Sequence, residues 1–234
     1  MTVTGQAPQI LRGQVTVTGP AGWSSAPVPF TLDGTRGRAS APVPFTLDGT
    51  RGRASTVVPA QVTMPASAGG APVPLTVTAT AAGLTAQTTV SMIPFGSWPA
   101  GTTATASSYH ASNTVNGQVR TYVPANAIDG NLATFWNDAN PATYPAVLAI
   151  TSPSAVTLPG IALASFPDGV PVDFAVSTWN GSAWVPQAQV TGRDSVDRWI
   201  PFAAPVSTTS VQLTVTLAQN AYSGEFTRVA ELDP

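Results

Sequence analysis

Few side chains in this 234-residue chain could do chemistry: one histidine (His110), two glutamates (Glu225 and Glu231) and no cysteine. A Ser-His-Asp relay would have to run through His110. No Gly-x-Ser-x-Gly turn accompanies it, and Ser107-Ser108-Tyr109-His110 is a polar, loop-like stretch. A glycosidase needs two carboxylates flanking a cleft. Asp129 with Glu231 could be paired that way, but the residues around each point elsewhere. The glycines stand mostly singly at turns, so no phosphate-cradling loop is expected. Thiol catalysis, disulfides and cysteine-based zinc sites are excluded. The sequence reads as non-enzymatic, with no catalytic residues.

The informative stretch is Ala125-Asn126-Ala127-Ile128-Asp129-Gly130-Asn131-Leu132-Ala133-Thr134-Phe135-Trp136. Asp129-Gly130-Asn131 is a tight-turn signal, with Gly130 free to take positive φ. Asp129, Asn131 and Thr134 then gather a carboxylate, an amide oxygen and a hydroxyl on sharply curled backbone. Hard cations such as Ca²⁺ take about six to eight oxygens of this kind. Two readings stay open from these residues alone: a cation loop, or a plain Asx-turn ahead of a buried Trp136.

The elements that must position this stretch are strands. Gln14–Thr18, Pro74–Ala79 and Val211–Leu217 alternate β-branched with small polar residues, the period of half-buried antiparallel strands. Gly19-Pro20, Asp33-Gly34, Asp168-Gly169 and Asn180-Gly181 punctuate them. Many short strands with Gly and Pro breaks predict an all-β chain of two sandwiches. By spacing, Trp136, Phe174 and Trp184 read as core.

Composition narrows the partners. Only 9% of residues are charged, against about a quarter in ordinary soluble domains, and all nine basic residues are scattered arginines. With a net charge of −2 there is no basic footprint for nucleic acid. No apolar run approaches the roughly 20 residues of a membrane span. Thr-rich, Lys-free, Pro-studded strands look extracellular. Met1-Thr2-Val3-Thr4-Gly5 carries neither the basic start nor the apolar stretch of a secretory signal, so the chain reads as a piece of a longer secreted protein.

Charge also divides along the chain, net +3 up to Ser97 and −5 from Trp98 onward. Trp98-Pro99-Ala100-Gly101 reads as a Pro/Gly joint, placing domains at 1–97 and 102–234 with a linker at 98–101. Within the first domain, Ala26–Ser40 recurs letter for letter as Ala41–Ser55. Two identical copies suit the same strand slot, so one is expected to pair in the sheet while the other loops out as a tolerated insertion.

Two families are resembled. Val15–Trp23, Val62–Ala68 and Pro74–Thr80 together resemble the α-galactosidase-associated, immunoglobulin-like domain of bacterial glycosidases, here with its first strands missing. The edge so exposed could promote association. From about Thr103 to Pro234 the chain is similar to the discoidin, or coagulation factor 5/8 type C, domain, in its carbohydrate-binding family 32 branch. The matching pieces run in order: Ala106-Ser107-Ser108, Ala127 to Trp136, Ala146–Ile150, Thr157–Leu163, Phe174–Thr178, Asn180–Trp184 and Thr227–Leu232.

The resemblance implies a partial immunoglobulin-like sandwich followed by a discoidin-type jelly roll with binding loops gathered at one end. It implies a structural calcium ion held by the side chains of Asp129, Thr134 and Glu231 and by the backbone carbonyls of Asn126, Asn131, Thr134 and Ala230. It implies a sugar cleft built from Tyr109, His110, Asn137, Asp138, Phe166, Asp168, Tyr222 and Glu225. Galactose-binding members place a His after the Trp and an Arg in the middle loop; Asn137 and Phe166-Pro167-Asp168 stand there instead, so galactose does not carry over. The function implied is a carbohydrate-binding module and spacer in the tail of a secreted bacterial glycoside hydrolase, such as an α-mannosidase, α-L-rhamnosidase or α-galactosidase. Its partners would be a glycan and the parent catalytic domain. The alternative is a structural, protein-docking module with an empty cleft.

Overall fold

The chain is all-β. A computed structural model describes residues 2–6, 10–23, 25–33, 53–58, 62, 71–139, 144–192, 196–219 and 226–234. It folds as two compact units: residues 1–67 with 73–92, and residues 68–72 with 93–234.

In the first unit, strands β1 (Thr2–Gln6), β2 (Ile10–Thr18), β3 (Val28–Asp33), β4 (Arg53–Val57), β5 (Val73–Ala81) and β6 (Leu84–Met92) form two antiparallel sheets. One has the order β3-β2-β5-β6, and the other is the pair β1-β4. The alternation in the sequence sets which face is apolar: Val15, Val17, Leu75, Val77 and Ala79 are buried, with Phe30 and Val58 against them. β3 is the apolar stretch of the first repeat copy, and β4 opens with the last three residues of the second. The rest of the repeat, residues 34–52, lies outside the described residues.

The continuous part of the second unit runs from Ile93, ahead of the joint expected at 98–101. Trp98 packs on the core of this unit, and its indole N–H donates to the Leu232 carbonyl at 2.8 Å. A buried aromatic with a satisfied polar edge is an anchor, so the residues read as a linker are tied into the unit.

Strands β7 (Thr103–Ala106), β8 (Ser112–Val115) and β9 (Gln118–Thr121) precede a 3-10 turn at Pro124–Ile128. β10 (Trp136–Asn137), β11 (Ala146–Ser165), β12 (Val170–Trp179), β13 (Trp184–Val190), β14 (Asp197–Gln219) and β15 (Arg228–Asp233) follow. The main sheet runs β10-β15-β11-β14-β12-β13, with β7 also on β11, while β8 and β9 pair separately.

β11 and β14 pair along most of their length, with register shifts between Thr151 and Val156 and between Leu158 and Gly160. The first part of β11 also carries β7, and its last part carries β15. Pieces read separately from the sequence, Ala146–Ile150 and Thr157–Leu163, are thus one bent strand. Bulges of this kind bend a strand and raise its twist. The enclosed core holds Trp136, Leu148, Ile150, Leu158, Ile161, Leu163, Phe174, Val176, Leu213 and Leu232. Trp136 and Phe174 are core as expected; Trp184 is half-buried, edge-on to Trp179.

One irregularity lies beside the site. Ala164 opposes Glu231 and Ser165 opposes Val229, so Ala230 is an extra residue on β15.

Close packing at the bend gives a test. A Cβ on Gly160 would stand 2.5 Å from the Ile200 carbonyl oxygen and 2.5 Å from the Trp199 ring. Gly160→Ala is expected to destabilise the protein by about 1–3 kcal/mol, read as a lower calorimetric melting temperature with an unchanged β-sheet circular dichroism spectrum.

Candidate functional site

The 3-10 turn delivers the chain into the Asp129-Gly130-Asn131 bend, where Gly130 takes φ +74°. The Asn131 amide donates to Asp129 Oδ1 at 2.9 Å and to Glu231 Oε1 at 2.7 Å. One N–H thus joins a surface bend to the last strand. The Thr134 hydroxyl lies 2.8 Å from both Asp129 Oδ2 and the Asn131 carbonyl, and the Thr134 amide donates to that same carbonyl at 3.0 Å. Asn126 is buried and braces the loop, its side-chain N–H₂ donating to the carbonyls of Thr121 and Phe135 at 2.8 and 3.1 Å. Ala230 is buried beside Glu231. The expected ligand residues therefore lie on one loop and one strand joined at Asn131.

Electrostatics marks the cluster. Glu231 is 1% exposed, and its Oε2 finds no hydrogen-bond donor among the described residues. Burial pushes its carboxyl up to about 8, the charges of Asp233 and Asp129 add to this, and the Asn131 amide offsets part of it. Asp233 was not anticipated as a neighbour. It is also buried and is pushed up to about 7, chiefly by burial. The signal was present: Glu231-Leu232-Asp233 puts two acids on one face of a strand. Among the described residues no three His, Cys, Asp or Glu side chains form a metal centre by themselves. Any cation here would draw on carbonyl oxygens as well. The donor set fits that: all oxygen, with one buried carboxylate oxygen lacking a donor.

A second cluster lies at the other end of β10 and β15. The Asn137 amide donates to the Tyr122 carbonyl, and the Asn137 carbonyl accepts from the His110 amide at 2.9 Å. Rings then follow one another: His110 to Tyr122 (5.7 Å between centroids), Tyr122 to Phe135 (5.0 Å) and Phe135 to Phe166 (4.3 Å). Tyr122 and Phe135 are buried, Phe166 half-buried, and Tyr109 is 48% exposed. His110, Phe166 and Asp168 reach this end of the unit, and Tyr109 is the chain neighbour of His110.

Asn137 and Asp138 face inward. Asp138 is 0% exposed; its Oδ1 accepts the Thr227 amide at 2.9 Å, and its own amide donates to the Thr227 carbonyl. The side-chain N–H₂ of Asn137 donates to the Asp138 carbonyl. Expected as sugar contacts, both hold the start of β15, because pairing of β10 with β15 turns them under the loops. Tyr222 and Glu225 lie outside the described residues.

Arg228, which sequence reading missed, ties this cluster together. Its Nε donates to Asn137 Oδ1 at 2.7 Å, its Nη1 is ion-paired to Asp168, and its guanidinium carbon lies 5.0 Å from the Phe135 ring centre and 4.3 Å from that of Phe226. The Arg228 amide donates to the Gly169 carbonyl at 2.8 Å, and a Cβ on Gly169 would meet the Arg228 stem at 2.7 Å.

Neither a protein-family model nor a curated protein matches the sequence. Among solved structures, the chain is similar to several small modules. One is the family 32 module of Clostridium perfringens NanJ, solved with galactose: 22% identity, TM-score 0.47, covering 56% of this chain and 90% of that one. Another is chitosan-binding module 2 of a Paenibacillus chitosanase/glucanase, solved with chitotriose: 20% identity, TM-score 0.45, covering 56% and 93%. A third is the family 32 module of Streptococcus pneumoniae EndoD: 14% identity, TM-score 0.45, again 56% and 93%.

Asp138 yields a pH prediction. Burial raises its carboxyl to about 7, against the opposing pull of the Thr227 amide and the Arg228 charge. A carboxyl whose folded value lies above its unfolded value stabilises fully below the unfolded value, and that stability is lost as pH rises through the folded one. Between about pH 4 and pH 7 the protein should therefore lose stability relative to Asp138→Asn. Parallel urea melts across that range would show the two curves diverging.

Proposed function

We propose that the second unit is a discoidin-type, non-catalytic carbohydrate-binding module, and that the chain serves as the binding module and spacer of a secreted glycoside hydrolase. The observation that carries the reading is the convergence of the Asn126–Thr134 loop on Glu231. It supports the ordered series of motifs running from Ala106 to Leu232, since residues a hundred positions apart meet as that resemblance implies. Sugar recognition needs an aromatic face with a few aimed polar groups in an open cleft. Tyr109, Phe166 and Phe226, with His110, Asp168 and Arg228, supply such groups. A module tethered to an enzyme holds it on glycan and raises the effective substrate concentration.

A calcium ion is part of the proposal. Asp129, Thr134 and Glu231 would hold it by side-chain oxygens, and Asn126, Asn131, Thr134 and Ala230 by backbone carbonyls. When bound, it would supply charge that the buried Glu231 carboxylate lacks, and a cation bound only by the native state stabilises that state. Melting temperature is expected to rise with added Ca²⁺ and fall in EDTA, with the response lost in Glu231→Gln. Identical melts in both conditions would remove calcium from the reading.

Glycan binding is tested on an array of plant, fungal and host glycans, where the whole chain is expected to bind at least one class. A structural, protein-docking role is the second reading, favoured by the inward-facing Asn137 and Asp138. It predicts an inert array and a stable complex with the parent catalytic domain. Nitrophenyl glycosides should remain uncleaved under either reading.

A further inference from the structure

The first unit leaves one sheet edge open. β6 ends the sheet β3-β2-β5-β6 and pairs with β5 alone among the described residues. Edges of this kind are ordinarily blunted by charge, proline or a bulge. Leu84–Met92 has none of these: it carries no charged residue and no proline, and it pairs with β5 in unbroken register.

The two faces of β6 differ. Thr88 and Val90 lie opposite the buried Val77 and Leu75, so the even-numbered residues of β6 share the apolar face of the sheet. Cover over that face stops short of β6, where Leu84 is 73% and Val90 44% exposed. The odd-numbered residues, Thr85, Gln87, Thr89 and Ser91, are all polar.

The open edge has a fixed hydrogen-bonding pattern. Ala82 and Gly83, at φ +48° and +78°, form the two-residue turn of a hairpin closed by Ala81 and Leu84. That closing pair exchanges both of its hydrogen bonds, and bonded and non-bonded pairs alternate from there. Even-numbered residues therefore spend their N–H and C=O groups on β5. Thr85, Gln87, Thr89 and Ser91 direct theirs to the open side.

A strand that fits must match this alternation, cover the apolar strip and bring no charge, since β6 offers no counter-ion. A second β6 does all three. Antiparallel pairing about a twofold axis at Thr88 sets Thr85 against Ser91 and Gln87 against Thr89, so all four exchange hydrogen bonds. The same register brings Leu84 to Met92 and Ala86 to Val90 on the apolar face, with Thr88 meeting Thr88 on the axis. A slip of one residue would set outward groups against groups already used on β5. The contact uses the same patch on both copies, so it closes as a dimer.

We propose that β6 pairs with β6 of a second copy of this chain, joining two four-stranded sheets into one around Thr88. Every residue involved lies in the first unit, so the assignment is independent of sugar binding. The nine-residue edge is only about 30 Å long, which makes a small interface and a dissociation constant on the order of 10–100 µM.

Sedimentation equilibrium of the whole chain from about 1 to 300 µM tests this, and the absence of cysteine allows the register to be trapped. Wild type should pass from monomer to dimer. Thr88→Lys, at an exposed position, should weaken the dimer more than tenfold by placing two ammonium groups on the axis, with circular dichroism and melting temperature unchanged. With oxidised glutathione, Thr88→Cys should cross-link to itself. Thr85→Cys should not, because its own copy lies six residues along the partner strand. Ala86→Cys mixed with Val90→Cys should cross-link as a heterodimer. Should Thr88→Lys fail to fold, the cysteine variants carry the test. A wild type that stays monomeric throughout would overturn the assignment and leave the edge to a different strand. Dimerisation of Thr88→Lys within twofold of wild type, assemblies growing beyond the dimer, or Thr85→Cys cross-linking as readily as Thr88→Cys would each overturn it as well.

Discussion

The second unit is organised around one backbone amide. Asn131 N–H is shared between the carboxylate of its own bend and Oε1 of the closing strand's Glu231, and no donor among the described residues reaches Oε2 of Glu231. Burying a carboxylate without full pairing costs several kcal/mol, so the group must either keep a proton or face a cation. Asp233 and Asp129 sharpen that demand, since both add negative charge near Glu231. The 3-10 turn and the bend bring this amide to the group, while β15 is held by pairing with β10 and β11 and by Val229 and Leu232 in the core.

From there the architecture explains the opposite cluster. β15 runs from the acids at its end to Arg228 at its start, and β10 pairs with that start. Asn137 and Asp138 are consumed in holding it. The polar groups left near solvent are those on the flanking loops, together with Arg228 itself. Loops present the chemistry while strands aim it.

Much of the fold was legible because β-strand periodicity is local. Gln14–Thr18, Pro74–Ala79 and Val211–Leu217 all lie in strands with the expected alternation, and Trp136 is fully buried. The bend at Gly130 was legible for the same reason, since Asp-Gly-Asn needs no distant partner to turn. What could not be read is what depends on long-range pairing. Arg228 is sixty positions from Asp168, and nothing in Thr-Arg-Val distinguishes it from an ordinary solvent-facing strand residue. Asn137 and Asp138 look like loop polars until Thr227 is placed beside them. Trp98-Pro99-Ala100-Gly101 has the composition of a joint, but the indole of Trp98 finds the Leu232 carbonyl and the core.

The extra residue at Ala230 acts as a phase adjuster. Side chains on a strand alternate strictly, so one inserted residue reverses the facing of everything on one side of it. Here it separates the acids from the arginine, allowing a single six-residue strand to aim anionic and cationic ends independently. Excising that alanine would remove one carbonyl proposed for the cation and turn one end of the strand inside out.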